Sequence, residues 1–377
     1  MIVLGIDTSC DDTCVAILKI EHPFHGYPKS EILSNIVSSQ VKIHAKYGGV
    51  WPYLAKREHQ RNLPLVFRKA LKEAGFEIPN PKSQMGPKRS LGGWWAGWSP
   101  KIDLIAITVG PGLEPCLWVG VNFAKDLSKK IERPLIPVNH IEAHIFANFI
   151  NNLQLTTYNL QLFPAICLVV SGGHTQLILM KNLGDYKIIG ETRDDAAGEC
   201  FDKVARILGL PYPGGPAIAA AAAQFSIFNF QFSIKLPRPM LHQKNYDFSF
   251  SGLKTAVLYK VKGERFKVKD KRYVQEMCFE VQQAVIDVLI QKTLRAAKEF
   301  KTKSIILGGG VASNEELRKQ FKKAIKTQLL NTLYLIPDTS FCTDNAAMVA
   351  VAGYFHWLKG ERYNLKEIEA NANLKIE

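Results

Sequence analysis

Two short apolar runs near the start of the chain have polar, turn-forming residues between them. Residues 2–6 are apolar and largely β-branched, residues 7–13 are polar, and residues 14–18 are apolar again. This pattern predicts a strand, a tight turn and a second strand. The pattern returns as an apolar run at 165–170, the turn 171–175 and a run at 176–180. The repetition predicts a duplicated fold with one such hairpin in each half.

Strands and helix-like segments alternate between and after the two hairpins. Apolar periodicity predicts helices over residues 54–74, 116–131 and 274–300, and further helices that begin near residues 314 and 343. Short apolar runs predict strands over residues 104–109, 304–307 and 332–336. This alternation is typical of an α/β fold with mostly parallel sheets. Residues 78–100 break the pattern with Pro, Gly and Trp, which predicts an insertion.

Composition narrows the class of protein. The 377 residues are enough for two domains, and an apolar content of 47% excludes a disordered chain. Lys and Arg number 48 against 34 Asp and Glu, which gives a net charge of +14. This balance permits binding to a polyanion such as nucleic acid, although charge alone does not establish it.

Cysteine usage and hydropathy bear on location. The seven Cys are scattered and form no Cys-x-x-Cys pair, which is typical of a reducing compartment. No apolar stretch reaches the length of about 18 residues that a membrane span needs, and the first residues lack the basic region of a signal peptide. These features predict a cytoplasmic protein without a membrane segment.

Two histidines have the spacing of a metal-binding pair. His140 and His144 are four residues apart on one helix face, where they can chelate one ion or can be ordinary surface or core residues. Glu142 does not follow the first histidine directly, so the pair is not the zinc-protease motif. Asp344 follows a strand and a loop, where it either caps the last helix or is a third ligand. Two His and one carboxylate would leave open positions on Fe(II) or Zn(II).

Glycine-rich turns follow several of the predicted strands. Those at residues 171–173 and 308–310 allow backbone amides to approach an anion closely, or are simple connections. Residues 190–203 place several carboxylates around the start of a helix. These side chains can accept hydrogen bonds from a ribose or an amino acid, or they can be solvated.

Taken together, the motifs resemble one family, the universal tRNA adenosine threonylcarbamoyltransferases (TsaD/Gcp type), in their bacterial form. The motifs occur in family order from the first strand to the last helix and include Gly5-Ile-Asp-Thr-Ser-Cys-Asp-Asp12, Asn139-His-Ile-Glu-Ala-His144, Val170-Ser-Gly-Gly-His-Thr-Gln-Leu177, Asp194-Asp-Ala-Ala-Gly-Glu199, Tyr212-Pro-Gly-Gly-Pro216, Phe248-Ser-Phe-Ser-Gly-Leu-Lys254, Gly308-Gly-Gly-Val-Ala-Ser-Asn314 and Cys342-Thr-Asp-Asn345.

The resemblance implies a two-lobed α/β fold of the actin, hexokinase and Hsp70 type, with duplicated mixed sheets flanked by helices. The expected lobes are residues 1–160, including the insertion, and 161–340, followed by a C-terminal helix over 341–377 that returns to the first lobe. The implied reaction passes the threonylcarbamoyl group of threonylcarbamoyl adenylate to N6 of adenosine 37, with release of AMP. Its substrates are tRNAs that read codons beginning with A.

The resemblance also implies site residues and partners. His140, His144 and Asp344 correspond to ligands of one divalent metal, Fe(II) or alternatively Zn(II). A proton acceptor is expected because adenine N6 is a poor nucleophile, and Asp11 and Asp12 are the candidates. Implied partners are tRNA, a non-catalytic paralogue of the same fold and a small P-loop ATPase. The residues that correspond to the adenylate pocket are Val169, Val170, Ser171, Gly172, Gly173, Asp202, Gly215 and Asn314.

The chain departs from the family pattern in three places. Asp12 stands where the family usually has Glu, which shortens the side chain, and Ala219 stands where many members have Asp. The third place is formed by Trp51, Tyr53 and Glu114-Pro115, beside two loops of the family pattern. The alternatives to the transferase are a non-catalytic scaffold paralogue and a kinase of the same fold. A scaffold would be expected to lack the His pair or the Ser171 loop, and phosphoryl transfer has no use for the His pair.

Overall fold

The first predicted hairpin forms, and further strands extend it into a five-stranded sheet. A computed structural model describes residues 1–21, 28–77, 101–150, 161–225, 234–263 and 270–377, so the insertion predicted over 78–100 lies outside the described residues. The strand order is β3-β2-β1-β4-β5. The strands are β1 (Ile2–Asp7), β2 (Asp12–Glu21), β3 (Lys29–Ser39), β4 (Leu104–Gly110) and β5 (Leu135–Asn139).

A second sheet repeats this arrangement with the order β10-β9-β6-β7-β8. Its strands are β6 (Ala165–Val170), β7 (Thr175–Asn182), β8 (Asp185–Glu191), β9 (Ser304–Gly308) and β10 (Leu333–Leu335). In each sheet the first three strands of the unit form an antiparallel meander. The last two strands extend the sheet in parallel on the other side of the first strand. The predicted duplication is confirmed.

The expectation of mostly parallel sheets from strand–helix alternation is wrong, because half of the pairings in each sheet are antiparallel. The sequence pattern did not single out β3 and β8, and these strands turn each hairpin into a three-stranded meander. The mixed sheets implied by the family resemblance are confirmed.

The helices connect the strands and cover the sheets. They are α1 (Val41–His44), α2 (Pro52–Glu73), α3 (Glu114–Ile131), α4 (His140–Phe146), α5 (Ala197–Ile207), α6 (Gly214–Ala223), α7 (Ser251–Gly263), α8 (Lys271–Glu299), α9 (Glu315–Gln328) and α10 (Ala346–Leu358).

The chain forms two compact units. The first contains Met1–Gln40, Val50–Asn159 and Asp344–Lys375, and the second contains Val41–Gly49, Leu160–Thr343 and Ile376–Glu377. The sequence did not indicate that the short segment Val41–Gly49 belongs to the second unit. The first unit is therefore discontinuous, and most of the second unit is inserted into it along the sequence.

Apolar packing holds the elements of each unit together. In the first unit, Phe67 of α2 and Val121 of α3 lie in one buried cluster with Ile6 of β1. In the second, Val285 of α8 lies in a buried cluster with Leu168 of β6. Burial of such side chains contributes roughly 1.5–3 kcal/mol each.

Helix α10 is buried on all sides and lies against β1. Every residue from Ala346 to Phe355 is buried, which is typical of a helix that crosses a protein core. A Cβ at Gly5 of β1 would collide with the carbonyl oxygen of Ala346. Glycine at this position therefore lets the start of α10 approach the strand closely, and Asp344 lies just before that point.

No helix among the described residues is both long and apolar enough to span a membrane.

Candidate functional site

Helix α4 begins directly at the end of β5 and carries the histidine pair, one at its first residue and one a turn later. The Asn139 side chain caps the helix, because its Oδ1 accepts hydrogen bonds from the backbone N–H of Ile141 at 2.8 Å and of Glu142 at 3.3 Å. His140 and His144 are both buried, and their ring centroids are 4.7 Å apart. The strand, the cap and the four-residue spacing thus place both imidazoles on one side of a short helix.

Asp344, the first residue of the last segment of the first unit, lies beside both histidines. Its Oδ1 lies 3.4 Å from Nε2 of His140 and 3.4 Å from Nε2 of His144. The residue precedes Asn345, whose side chain caps α10 by accepting from the Met348 N–H at 3.1 Å. Asn345 is therefore the helix cap, and Asp344 points to the histidines.

The donor set fits a divalent metal ion. One ligand atom from each of the three residues lies within 4.8 Å of the others. Two ligands that are each about 2.1 Å from one ion are about 3 to 3.5 Å apart, as Asp344 is from both histidines. Within the described residues, Nδ1 of the buried His144 has no hydrogen-bond partner, and its Nε2 has only the long 3.4 Å contact with Asp344; buried polar atoms in this state are costly unless something binds there. Imidazole nitrogen and carboxylate oxygen suit Fe(II) and Zn(II).

Asp7 contacts His140, and sequence reasoning did not assign it this role. Asp7 ends β1, and its Oδ2 lies 3.2 Å from Nδ1 of His140, opposite the nitrogen that faces Asp344. The Ser9 hydroxyl is also 3.2 Å from this Nδ1, and the Ser9 N–H donates to Asp7 Oδ1 at 2.8 Å. A carboxylate on the far nitrogen of a ligating histidine fixes its ring and tautomer. A carboxylate at the end of the first strand was the only signal available for this role.

The charges in the group favour a cation. Burial opposes charge on His140, but the carboxylates of Asp344 and Asp7 outweigh burial and raise its pKa to about 10. Burial lowers the pKa of His144. Burial acts to raise the pKa of Asp344, but the two imidazoles outweigh it and lower that pKa below its ordinary value. Asp344 is therefore a carboxylate at neutral pH, and an arriving metal ion would displace the proton of His140.

The two candidate proton acceptors lie in the turn of the first hairpin, also in the first unit. Asp11 is half-buried, and its carbonyl oxygen accepts from the Gln40 N–H at 3.2 Å. Asp12 begins β2, and its Oδ1 is buried with no hydrogen-bond partner among the described residues. Burial raises the pKa of Asp12 to about 7, with a smaller contribution from the charge of Asp344. A carboxyl with this pKa can accept a proton near neutral pH.

His59 of α2 holds this turn from both sides, which the sequence also did not reveal. Its Nε2 lies 3.0 Å from the carbonyl oxygen of Cys10, and its Nδ1 lies 2.8 Å from the Thr13 hydroxyl. A carbonyl only accepts, so Nε2 carries the proton and Nδ1 accepts from Thr13. The buried ring therefore bridges the residues that flank Asp11 and Asp12.

Glu142 points away from the histidine pair, as expected when the zinc-protease motif was excluded. Its Oε2 lies 2.7 Å from Nε2 of His356, whose other nitrogen is 2.9 Å from Glu361. Burial opposes the charge of His356, but Glu142 and Glu361 raise its pKa to about 9. This charged histidine ties α4 to α10.

In the second unit, the predicted glycine turn lies where β6 ends. Val169 and Val170 are buried strand residues, and the Ser171 N–H donates to the carbonyl oxygen of His174 at 2.8 Å. Gly172 and Gly173 are exposed, and a Cβ at either would meet no described atom within 4 Å. The backbone of this turn is therefore open to a ligand.

Other predicted pocket residues surround the starts of three helices in this unit. The start of α5 touches the turn, because the Gly198 N–H donates to the Ser171 carbonyl oxygen at 3.2 Å. Asp202 accepts from the Gly214 N–H at 2.6 Å, beside Gly215, where a Cβ would meet open space. Helix N-termini and open glycines are suited to anions.

Asn314 caps α9, and both ends of its amide are used within the fold. Its Oδ1 accepts from the Leu317 N–H at 2.9 Å, and its Nδ2 donates to Gln282 at 2.8 Å. The adjoining turn is tight, because Gly309 has a φ of +88° and a Cβ there would collide with the carbonyl oxygen of Val170.

Two of the carboxylates in residues 190–203 are satisfied within the fold. Asp194 accepts from the hydroxyls of Ser249 and Ser251 and from two backbone N–H groups at the start of α7. Asp195 pairs with Lys203 at 2.6 Å and with Lys254 at 2.9 Å. These contacts join the motif at residues 194–199 to the motif at residues 248–254. They account for both Asp residues without a ligand.

Comparison with known proteins decides the family. The sequence profile described as tRNA N6-adenosine threonylcarbamoyltransferase matches residues 31–82 and 96–351. A protein of that name from Thermosipho africanus is 47% identical over 376 residues, covering 100% of both chains. One from Geobacillus kaustophilus is 43% identical, covering 99% of this chain and 96% of its own.

The chain belongs to the tRNA N6-adenosine threonylcarbamoyltransferase family. It is accordingly a transferase of the acyltransferase class that takes part in threonylcarbamoyladenosine modification of tRNA. The resemblance stated from the motifs is confirmed.

Solved structures support the fold of this threonylcarbamoyltransferase. A full-length HypF in its phosphate- and nucleotide-bound form covers 96% of this chain with a TM-score of 0.53, at 12% identity and over 47% of its own length. HypF of T. kodakarensis gives a TM-score of 0.51 over 95% of this chain and 48% of its own, at 14% identity. At these identities the likeness concerns the fold alone, and it agrees with the duplicated two-sheet architecture.

Proposed function

We propose that this enzyme transfers the threonylcarbamoyl group from threonylcarbamoyl adenylate to N6 of adenosine 37, in tRNAs that read codons beginning with A. The amine nitrogen attacks the carbamoyl carbon, the bond from that carbon to the phosphate oxygen breaks, and AMP leaves with the bonding electrons. The observation that carries the proposal is the pair of buried histidines, His140 and His144, beside the half-buried Asp344 in a chain of this family. A kinase or a scaffold has no need for this group.

The first unit would hold one divalent metal ion, Fe(II) or Zn(II), through His140, His144 and Asp344. When bound, the ion would supply Lewis acidity toward the carbonyl oxygen of the threonylcarbamoyl group. Asp7 would keep the Nε2 lone pair of His140 directed to the site, as its 3.2 Å contact with Nδ1 supports.

The second unit would bind the adenylate part of the donor. The open backbone at Gly172, Gly173 and Gly215 supports this assignment. Backbone N–H groups at these places can stabilise the charge of the departing phosphate. Asp202 and Asn314 would shape the loops through their contacts with Gly214 and Leu317. Val169 and Val170 would hold the turn at the end of β6.

Asp11 and Asp12 are our candidates for the group that accepts the N6 proton. The unpartnered Oδ1 of Asp12 supports its assignment, and the shorter side chain relative to Glu is a property that activity measurements can test.

The proposal includes a non-catalytic paralogue of the same fold and a small P-loop ATPase as partners, on the strength of the family resemblance. It places the reaction in the cytoplasm, which is supported by seven cysteines that are all free of disulfides.

The experiment is a modification assay with threonylcarbamoyl adenylate, unmodified tRNA and the enzyme, with and without each partner. Nucleoside mass spectrometry should show one modified adenosine, at position 37, and one AMP for each transfer. A tRNA that reads codons beginning with another base is the matched control. Absence of the modified base in every combination, or release of ADP from ATP with phosphate on a small acceptor, would contradict the proposal.

The metal assignment has its own readout. His144→Ala should remove stoichiometric metal from the purified chain, measured by elemental analysis. His242→Ala, at an exposed histidine, is the control and should leave the metal content unchanged.

A further inference from the structure

Helix α9 has an apolar face and a lysine face. Leu317, Phe321 and Ile325 are buried in the core of the second unit. On the opposite side Lys319, Lys322, Lys323 and Lys326 are exposed, and the side chain of Lys319 is 78% accessible. The helix therefore presents four ammonium groups to solvent within two turns.

Three more exposed lysines adjoin the end of this helix. Lys298 at the end of α8 donates to the side chain of Gln328 at 3.1 Å. Lys301 and Lys303 follow in the turn before β9, where the Lys303 carbonyl oxygen accepts from the Leu333 N–H at 2.9 Å. We call these seven residues the lysine surface: Lys298, Lys301, Lys303, Lys319, Lys322, Lys323 and Lys326.

The lysine surface is poor in compensating charge. Residues 298–330 contain eight Lys and Arg against three Glu. Of these carboxylates, Glu299 accepts from the Tyr246 hydroxyl, and Glu316 lies 3.7 Å from Lys319. Among the described residues, Lys322, Lys323 and Lys326 form no ion pair within 4 Å, the distance at which oppositely charged groups pair.

Four other cations of the second unit pair with carboxylates within the fold. Lys203 and Lys254 pair with Asp195, and Arg193 pairs with Asp247 at 2.6 Å. Arg238 is shared between Glu280 and Asp287. Among the described lysines of α9, by contrast, Lys319 alone lies within 4 Å of a carboxylate.

This arrangement costs stability. Lys319 and Lys323 are four residues apart on one helix, as are Lys322 and Lys326. Like charges with this spacing destabilise a helix by about 0.2–0.5 kcal/mol per pair. The repulsion is relieved when a polyanion binds, because phosphates replace the missing carboxylates and counterions are released.

We propose that the lysine surface binds the phosphate backbone of the tRNA substrate. The proposal rests on tRNA being the substrate and does not depend on the donor or the metal. Residues 322–326 lie about 12–18 Å along α9 from the cap residue Asn314, at a rise of about 1.5 Å per residue. The centre of the lysine surface is therefore separate from Asn314, at the start of the same helix.

The test compares two triple variants of the full chain for tRNA binding over a range of salt concentrations. Lys322→Gln, Lys323→Gln and Lys326→Gln together remove the centre of the lysine surface. Lys29→Gln, Lys187→Gln and Lys366→Gln together remove the same total charge at exposed, scattered positions. Circular dichroism and thermal melting confirm that both variants fold.

The first variant should bind unmodified tRNA about 10- to 100-fold more weakly at low salt, and its slope of log K against log salt should be smaller by about 2 to 3. The scattered variant should keep the slope of the unmutated chain. The proposal is overturned if both variants lose affinity equally, or if the first keeps its tRNA affinity and loses binding to anionic vesicles or an acidic protein instead. Because binding is measured without donor, a failure of the proposed transfer reaction would leave this result unaffected.

Discussion

Nδ1 of His140 lies 3.2 Å from Oδ2 of Asp7, while Nε2 of the same ring lies 3.4 Å from Asp344. Asp7, at the end of β1, thereby fixes the orientation of His140, which follows β5. The proposed metal site would therefore depend on this second carboxylate as well as on its three proposed ligands.

Asp7→Asn should lower metal affinity by about 10- to 100-fold, because the amide can donate to Nδ1 and favour the wrong tautomer. The amide oxygen can still accept from the Ser9 N–H, so the turn should be kept. Competition with a chelator measures the affinity. Asp126→Asn, at an exposed carboxylate of α3, is the control. Equal metal affinity in the Asp7 variant and the unmutated chain would exclude an orienting role.

Asp12→Asn should stabilise the metal-free chain at pH 8 and have little effect at pH 4. In the folded chain the pKa of Asp12 is about 7, against an ordinary value of 3.8. Between these values the folded chain binds more protons than the unfolded chain, so the Asp12 contribution to stability falls as pH rises. After allowance for partial exposure, we expect a gain of about 2 kcal/mol at pH 8.

Urea unfolding at both pH values measures this difference, and Asp185→Asn on the exposed β7–β8 hairpin is the control. If Asp12 accepts the N6 proton, the more stable variant should also lose most of its kcat. A free-energy difference that is the same at pH 4 and pH 8 would show that the buried carboxyl is not the cause.

Thr13→Val and His59→Phe should each slow transfer, because they release the turn that carries Asp11 and Asp12. Each leaves a buried polar group unpaired and should cost about 1–3 kcal/mol of stability. The double variant should show a coupling energy of about 1 kcal/mol between the two residues. Turnover should fall with little change in the KM for tRNA, and His242→Phe should change neither quantity. Strictly additive effects would mean that the contact does not hold the turn.

Gly173→Val should raise the KM for the donor several-fold and leave the melting temperature nearly unchanged, because a side chain there meets open space. Gly309→Ala is the contrasting variant, since its Cβ would strike the Val170 carbonyl oxygen in a left-handed backbone conformation. It should lower the melting temperature itself. An unchanged KM in a folded Gly173→Val chain would argue against adenylate binding at this turn.

Local patterns predicted much of the fold, and long-range contacts are where they failed. Both hairpins follow from apolar runs that flank polar turns, and the histidine pair follows from its four-residue spacing; both are properties of neighbouring residues. The contact of Asp344 with this pair joins segments that periodicity cannot connect. Asp7 and His59 were missed for the same reason, since each acts on a residue in another element. Strands β3 and β8 were missed because their polar positions weaken the alternation.

Because the first unit is discontinuous, a bound metal ion would link two of its chain segments that are far apart in sequence. His144 and Asp344 belong to the same unit, but most of the second unit lies between them in sequence. An ion held by both would close this loop as a cross-link, and the close approach of α10 to Gly5 holds the residues next to Asp344 against β1. Such a link stabilises only the folded state. Removal of the ion should therefore weaken the attachment of the segment Asp344–Lys375 to the rest of the first unit.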